Sequence, residues 1–306
     1  KSFQKQTYYD LSLDDYVRGV VSAEMPSSWS TQALDAQAVA ARTYAITTSV
    51  SGNGYGLYSD TRSQMYRGVS AETSSTDAAV AGTQRQVVTL HGMPVVTYFF
   101  ASSGGHTESI QYVWPGASSE PWLRGVDDSY DDVAGNPYYR WSVSMSMGSA
   151  AARLGSLVKG TFQGITVTQR GTSPRVVDAT VHGSGGSTSV TGDRLQSAFG
   201  LMSTYMSFST ISTSAADTRA SVSHGGAHAL LARARARARA PSLRGRVQPA
   251  DAGAAVDVQE RLDGTWQAVL SHVRVGSGGA YRVNLPGPGH YRIVYRGLDG
   301  PAVDVR

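Results

Sequence analysis

The chain has no cysteine, so neither a disulfide framework nor a thiolate metal site is available to it. It also lacks any apolar run near the roughly 20 residues that a membrane-spanning helix requires. Charged residues are few, 16% of the whole, and the formal net charge is +4. That charge is unevenly placed. Residues 1–211 hold 14 Lys and Arg against 16 Asp and Glu, whereas residues 212–306 hold 13 against 7. The basic excess belongs to the tail, and no nucleic-acid motif accompanies it, so nucleic acid is not an expected partner. An anionic polymer or a membrane surface suits such a tail. The chain opens on KSFQKQ with no apolar leader, which fits a mature or trimmed form of a surface or secreted protein.

What is present is organised around Asp14–Tyr44, DDYVRGVVSAEMPSSWSTQALDAQAVAARTY. Leu13, Tyr16, Val17, Val20 and Val21 recur three and four apart, the spacing of one helix face. Glu24 is the next member of that stripe. A carboxylate on a buried face is costly, and Pro26 drives Met25 out of helical geometry, so Glu24 falls in the last turn. There the helix dipole opposes negative charge. Burial and dipole together predict a carboxyl with a raised pKa, the profile of a general acid. Asp14 is the expected cap of this helix and Ser30 of the next, in which Ala33, Leu34, Ala38, Ala41 and Ala45 form an alanine-rich stripe suited to close packing. Gln37 and Arg42 lie beside that stripe and need partners. Arg42 braces either a carboxylate or a substrate, or makes an ordinary salt bridge.

The remainder reads as short, mostly β elements. LYSDTRSQMYRG (57–68) is an irregular loop in which Gln64 and Tyr66 suit hydrogen bonding to, and stacking on, sugar rings. A helix is expected near 76–83, then a hairpin of QVVTL and MPVVTYFFAS across His91-Gly92. The second strand empties into SSGGHTES, where Ser102, Ser103 and His106 are candidate binding groups. The alternative is a glycine-shaped loop with His106 bonded to backbone. Residues 112–139 form a long segment dense in Trp and Tyr. Its aspartates, Asp127, Asp128, Asp131 and Asp132, lack calcium-loop spacing and read as a solvated surface. Strands are expected at 141–147, 165–169, 176–181 and 200–209, with helices near 149–158 and 193–199. The organisation is therefore α+β: a mixed unit over 1–211 with an N-terminal helix pair, a Ser/Ala/Arg-rich linker over 212–241, and a small all-β sandwich over 242–306.

LDDYVRGVVSAEMPSSW followed by ALDAQAVAARTYA resembles the signature of the stage II sporulation protein D family, which is related to the amidase enhancer LytB. SQMYRG, AVAGTQRQVVTLHGMPVVTYFFASSGGHTES, PWLRGVDD and GDRLQSAFGLMST follow in the family's order, so the resemblance covers roughly residues 8–210. It implies a secreted or cell-wall-associated peptidoglycan lytic transglycosylase acting on glycan strands stripped of stem peptides. The family's catalytic acid corresponds to Glu24, and its implicated arginine to Arg42. Asp35 stands where members commonly have lysine. Some members bind zinc near the SQVY motif, but Ser59, Arg62 and Ser63 offer neither imidazole nor thiolate, so no metal or other cofactor is expected. A lytic transglycosylase manages with one carboxylate, since the C6 hydroxyl of the same sugar is the nucleophile. The competing expectation is a non-catalytic wall-binding protein that activates an amidase. The basic tail adds anionic wall polymers to the expected partners.

Overall fold

The computed structural model describes residues 10–48, 56–132, 135–216 and 241–306. By internal contact the chain divides into two compact units, residues 1–140 and 141–306. The expected extended segment at 1–9, most of the SGNGYG loop and the Ala-Arg run lie outside the described residues. Among those described, no helix is long and apolar enough to cross a membrane.

The first unit is built on three helices, α1 (Leu13–Glu24), α2 (Thr31–Thr47) and α3 (Ser74–Gly82). Val17, Val20 and Val21 of α1 are fully buried against Leu34, Ala38 and Ala41 of α2 and Ala79 and Val80 of α3. Each such valine is worth roughly 1.5–3 kcal/mol of burial, and the alanines let the helix axes approach. Ser12, not Asp14, caps α1: its hydroxyl accepts the Asp15 N–H. The cap therefore lies two residues before the expected position, and Asp14 is released to pair with Arg42 of α2. Ser30 caps α2 by accepting the Ala33 N–H. α1 stops at Glu24 because Met25 turns extended (φ −135°, ψ 138°) ahead of Pro26.

The expected hairpin is present but short, with β1 (Thr89–Leu90) paired to β2 (Met93–Pro94). His91 and Gly92 both take positive φ at its turn (50° and 80°), the geometry that two-residue hairpins favour. Beyond Val95 the apolar run finds no strand partner among the described residues. Its backbone is met by other groups instead: the Trp122 indole N–H donates to the Val96 carbonyl at 3.0 Å, and the Thr97 hydroxyl bonds the Ala40 carbonyl of α2 at 2.8 Å. A short helix, α4 (Ile110–Val113), comes next.

In the second unit, α5 (Met147–Leu154) precedes an antiparallel sheet of β3 (Phe162–Arg170), β4 (Val176–Gly183) and β5 (Gly186–Thr191), and α6 (Gly192–Phe199) closes it. Leu154, Leu195 and Phe199 of the helices pack with Ile165 and Val181 of the sheet. Residues 141–146, expected as a strand, join no ladder among the described residues; Trp141 and Met145 pack on this core as an irregular segment, and Met147 already opens α5. The expected strand at 200–209 is also irregular, because Gly200 ends α6 in a left-handed cap. The strand starts later, as β6 (Thr210–Ala216).

β6 pairs with β7 (Ser242–Gln248), which pairs with β10 (Ala280–Asn284), giving the order β10-β7-β6. A second sheet contains β8 (Ala255–Leu262), β9 (Thr265–Arg274), β11 (Gly289–Tyr295) and β12 (Leu298–Asp299) in the order β12-β11-β8-β9, with β13 (Val303–Val305) also on β11. Leu243, Val247, Tyr281 and Val283 of one sheet share a core with Val256, Val258, Tyr291 and Ile293 of the other. These are two packed sheets with alternating inward residues. Residues 210–216 thus add a strand to the same sheets as the tail.

Candidate active site

Glu24 sits half-buried at the end of α1. Its Oε1 accepts the backbone N–H of Met65 at 2.7 Å. Among the described residues Oε2 has no hydrogen-bond partner. Met65 is held in place by its neighbours. Gln64, 1% exposed, donates its amide to the Ala41 carbonyl of α2 at 3.3 Å and accepts the Tyr16 hydroxyl at 3.2 Å. Tyr66 stacks on Tyr16 with centroids 5.5 Å apart and planes 15° off parallel. The Arg67 N–H then bonds the Gly19 carbonyl of α1 at 3.2 Å. Gly19 is what admits the Tyr66 ring, since a Cβ there would lie 2.4 Å from the Tyr66 ring edge.

Electrostatics arise from this packing. Burial, then the neighbouring Tyr44, Glu24 and Tyr66, push the Tyr16 phenol well above its ordinary pKa, so it remains a neutral donor to Gln64. Tyr44 leads outward: its ring meets Tyr98 edge-on (6.1 Å, 70°), and Tyr98 meets Trp114 at 4.6 Å and 61°. Tyr98 and Trp114 are 41% and 44% exposed. Partly open rings supported from behind by other rings are surfaces on which the apolar faces of sugars rest.

Arg42 is not brought to Glu24. It is 2% exposed, with its guanidinium 3.0 Å from Oδ1 of Asp14 through both Nε and Nη2. It also donates to the Val80 and Thr83 carbonyls at 3.0 Å and the Gln86 carbonyl at 3.3 Å. The carboxylate it braces is Asp14, and its remaining donors close the C-terminal end of α3. A salt bridge between Arg42 and Glu24 is absent among the described residues. Gln37 is buried (7% exposed) on the inner side of α2, and its Nε2 has no partner among the described residues. A buried donor left unpaired costs about 1–3 kcal/mol.

Ser102, Ser103 and His106 lie in a second cluster whose centre is Asp131. One Asp131 oxygen accepts the Ser102 hydroxyl at 2.6 Å and the Gly104 N–H at 2.8 Å; the other accepts the Asn136 amide at 3.0 Å. Gly104 and Gly105 take φ of 71° and 100°, open to glycine and strained for other residues. Ser103, 3% exposed, accepts the Gly105 N–H at 3.0 Å. His106 forms a β-bridge with Asp127, and its Nδ1 contacts the Thr107 carbonyl. In the sequence Asp131 reads as one of four surface aspartates, and nothing there marks it as the centre of this hydrogen-bond cluster. Its spacing of 29 residues from Ser102 carries no local signal.

Residues 2–90, which contain α1, α2, Glu24, Gln37, Arg42 and the 64–67 segment, match the family model described as SpoIID, stage II sporulation protein. The chain carries a SpoIID domain. Over 196 residues it is 31% identical to stage II sporulation protein D of Bacillus subtilis strain 168, a stretch covering 58% of this chain and 56% of that protein. The Bacillus amyloliquefaciens stage II sporulation protein D is likewise 31% identical over 191 residues, covering 57% and 54%. The amidase enhancer of Bacillus subtilis strain 168 is 38% identical over 130 residues, 42% of this chain and 17% of that protein. The chain therefore spans a little over half the length of the sporulation relatives and a small part of the amidase enhancer.

Proposed function

We propose that this chain is a peptidoglycan lytic transglycosylase of the cell wall, acting on denuded glycan strands with Glu24 as its one acid and base. The observation that carries the reading is the carboxylate itself: half-buried, fixed through Oε1 by the Met65 N–H, with Oε2 unpaired among the described residues and partly open aromatic rings in the same unit. In the first step the Glu24 carboxyl gives its proton to the glycosidic oxygen as the C1–O bond of N-acetylmuramic acid breaks, and N-acetylglucosamine leaves with a free 4-hydroxyl. In the second, the Glu24 carboxylate takes the proton of the C6 hydroxyl as O6 attacks C1. The product is a 1,6-anhydro sugar, no water is consumed, and the enzyme returns protonated. Hydrolytic glycosidases need a second carboxylate because they must activate water or form an ester; an internal nucleophile removes that need.

Gln37, Gln64, Tyr66, Ser102, Ser103 and His106 are assigned to substrate binding under this reading, Gln64 and Tyr66 chiefly by holding Met65 against Glu24. Arg42 acts at one remove, by fixing α1, α2 and α3 to one another. The test is digestion of purified denuded glycan, with mass spectrometry of the ends. Wild type yields 1,6-anhydro-muramyl ends and Glu24→Gln yields none, although glutamine still accepts the Met65 N–H and keeps the fold. Equal product from both proteins refutes the role of Glu24; no anhydro product from wild type refutes the activity.

A second reading is a wall-binding protein that stimulates a separate amidase without cleaving glycan. The likeness to a protein named amidase enhancer and the half-buried Asp35 where a lysine was expected support it. Stimulation of a wall amidase that survives Glu24→Gln, with no anhydro ends, selects this reading.

A further inference from the structure

The second unit carries a charged surface that the Glu24 chemistry does not use. In the β10-β7-β6 sheet, Leu243, Val247, Tyr281 and Val283 point into the core, so the alternate residues point outward. The exposed outward set is Ser212, Ser214, Arg244, Arg246, Ala280, Arg282 and Asn284. It contains three arginines and no acid. Arg282 is the direct cross-strand partner of Arg244, and Arg246 lies two residues along the same strand. These positions fall within about 5–8 Å of one another.

Like charges directly opposite in a ladder destabilise it, and nothing on this face relieves them. Among the described residues no ion pair reaches Arg244, Arg246 or Arg282. In the facing sheet, by contrast, Arg292 pairs with Asp299 at 2.7 Å, and Arg296 just beyond β11 pairs with Asp251. Arg246 also borders an open groove of about 390 Å³ lined by Gln163, Thr210, Ser212, Gln248 and Phe162. That volume seats a sugar or polyol unit, and its amides and hydroxyls are the groups that bond hydroxyls.

We propose that this face binds a phosphodiester-linked polyol or sugar polymer without bases, Arg244, Arg246 and Arg282 gripping successive phosphates and the adjoining groove taking the hydroxylated unit between them. Arginine suits this use because its planar fork meets phosphate oxygens in pairs. A nucleic acid is disfavoured because no aromatic ring stands on the outward face to stack a base. The proposal is independent of whether Glu24 cleaves glycan.

The test uses the full chain and the double variant Arg244→Thr/Arg282→Thr. A synthetic glycerol-phosphate oligomer, a neutral chitooligosaccharide and oligo-dT are titrated calorimetrically across a range of salt. The expected result is glycerol-phosphate binding at least tenfold weaker in the variant, with the salt slope reduced by roughly 1.4–1.8, as for two lost phosphate contacts. Thermal unfolding of the variant occurs at or above the wild-type temperature, since a like-charged pair has been removed. Unchanged oligomer binding overturns the proposal. So does oligo-dT binding as tightly with the same arginine dependence, or a variant that melts several degrees lower, which would make the arginines part of the fold.

Discussion

Arg42 tests most directly whether structure, rather than family position, explains a residue. Replacing it with methionine keeps the buried apolar stem and removes the charge. Asp14, with a side chain 26% exposed, then loses its partner, and the Val80, Thr83 and Gln86 carbonyls lose their donor. Removing one member of a buried ion pair costs about 3–5 kcal/mol, most of it from the groups left behind. The unit of 140 residues has an unfolding entropy near 2.1 cal/mol/K per residue, so about 0.3 kcal/mol/K in all. The melting temperature of that unit is expected to fall by about 10–17 °C. Arg42→Lys, with a compact ammonium that cannot reach four acceptors at once, falls in between. Calorimetric melting and glycan turnover are measured on the same samples, below the variants' transitions. Activity should track the folded fraction. A methionine variant that melts within about 3 °C of wild type yet is inactive would refute this account and place Arg42 against the substrate.

Gly19→Ala sets about 1 kcal/mol of helix propensity against overpacking of about 1–3 kcal/mol, since the new Cβ meets Tyr66 at 2.4 Å. Urea unfolding should show a net loss of up to about 2 kcal/mol. Turnover should fall more than tenfold, because displacing Tyr66 moves the Met65 N–H away from Glu24. Trp114→Ala removes an open ring supported by Tyr98; it should raise KM on long strands about tenfold, near 1.4 kcal/mol, and leave kcat unchanged. The buried phenols give an alkaline limit. Burial raises Tyr16, and carries Tyr281 up to about 12 even though a bond from Thr213 pulls the other way. Their contribution is complete below the unfolded value near 10 and is lost as pH rises through the folded values. Stability measured by denaturant should therefore decline from about pH 10 upward, and Tyr281→Phe should flatten that decline.

Much of the architecture was legible because it is local. The three-and-four spacing of Val17, Val20 and Val21, the Ser30 cap and the Met25-Pro26 break are decided within a turn or two of helix, and the structure has them where the pattern puts them. The same holds for α6 and for the alternation in β8 and β11. Apolar alternation alone misled at 141–146 and 95–100. Val143 and Phe100 stay more than half exposed, and past Val95 neither run joins a ladder among the described residues; an indole, a threonine hydroxyl and the core of a neighbouring sheet hold them instead. A strand is a pairing, and pairing is not encoded in a single segment. β5 and β7 escaped notice for the converse reason. GSTSVT and SLRGRVQ are too polar to announce themselves, and they become strands because β4, β6 and β10 lie alongside.

The site divides along the same line. A glutamate continuing an apolar stripe ahead of Pro26 could be picked out from one helix, because it violates that helix's own pattern. What fixes it could not. The Met65 N–H is 41 residues away, and it is presented to Glu24 only because Gln64 spans from Tyr16 to the Ala41 carbonyl and Tyr66 fits over a glycine. Asp14 and Asp131 were misread for the same cause, one as a cap and one as solvated surface, when each reaches a side-chain partner 28 or 29 residues distant, Arg42 and Ser102. Substitutions in 64–67 should therefore impair Glu24 chemistry as severely as changes beside Glu24 in sequence. The carboxylate is named by its helix, but its position belongs to the loop.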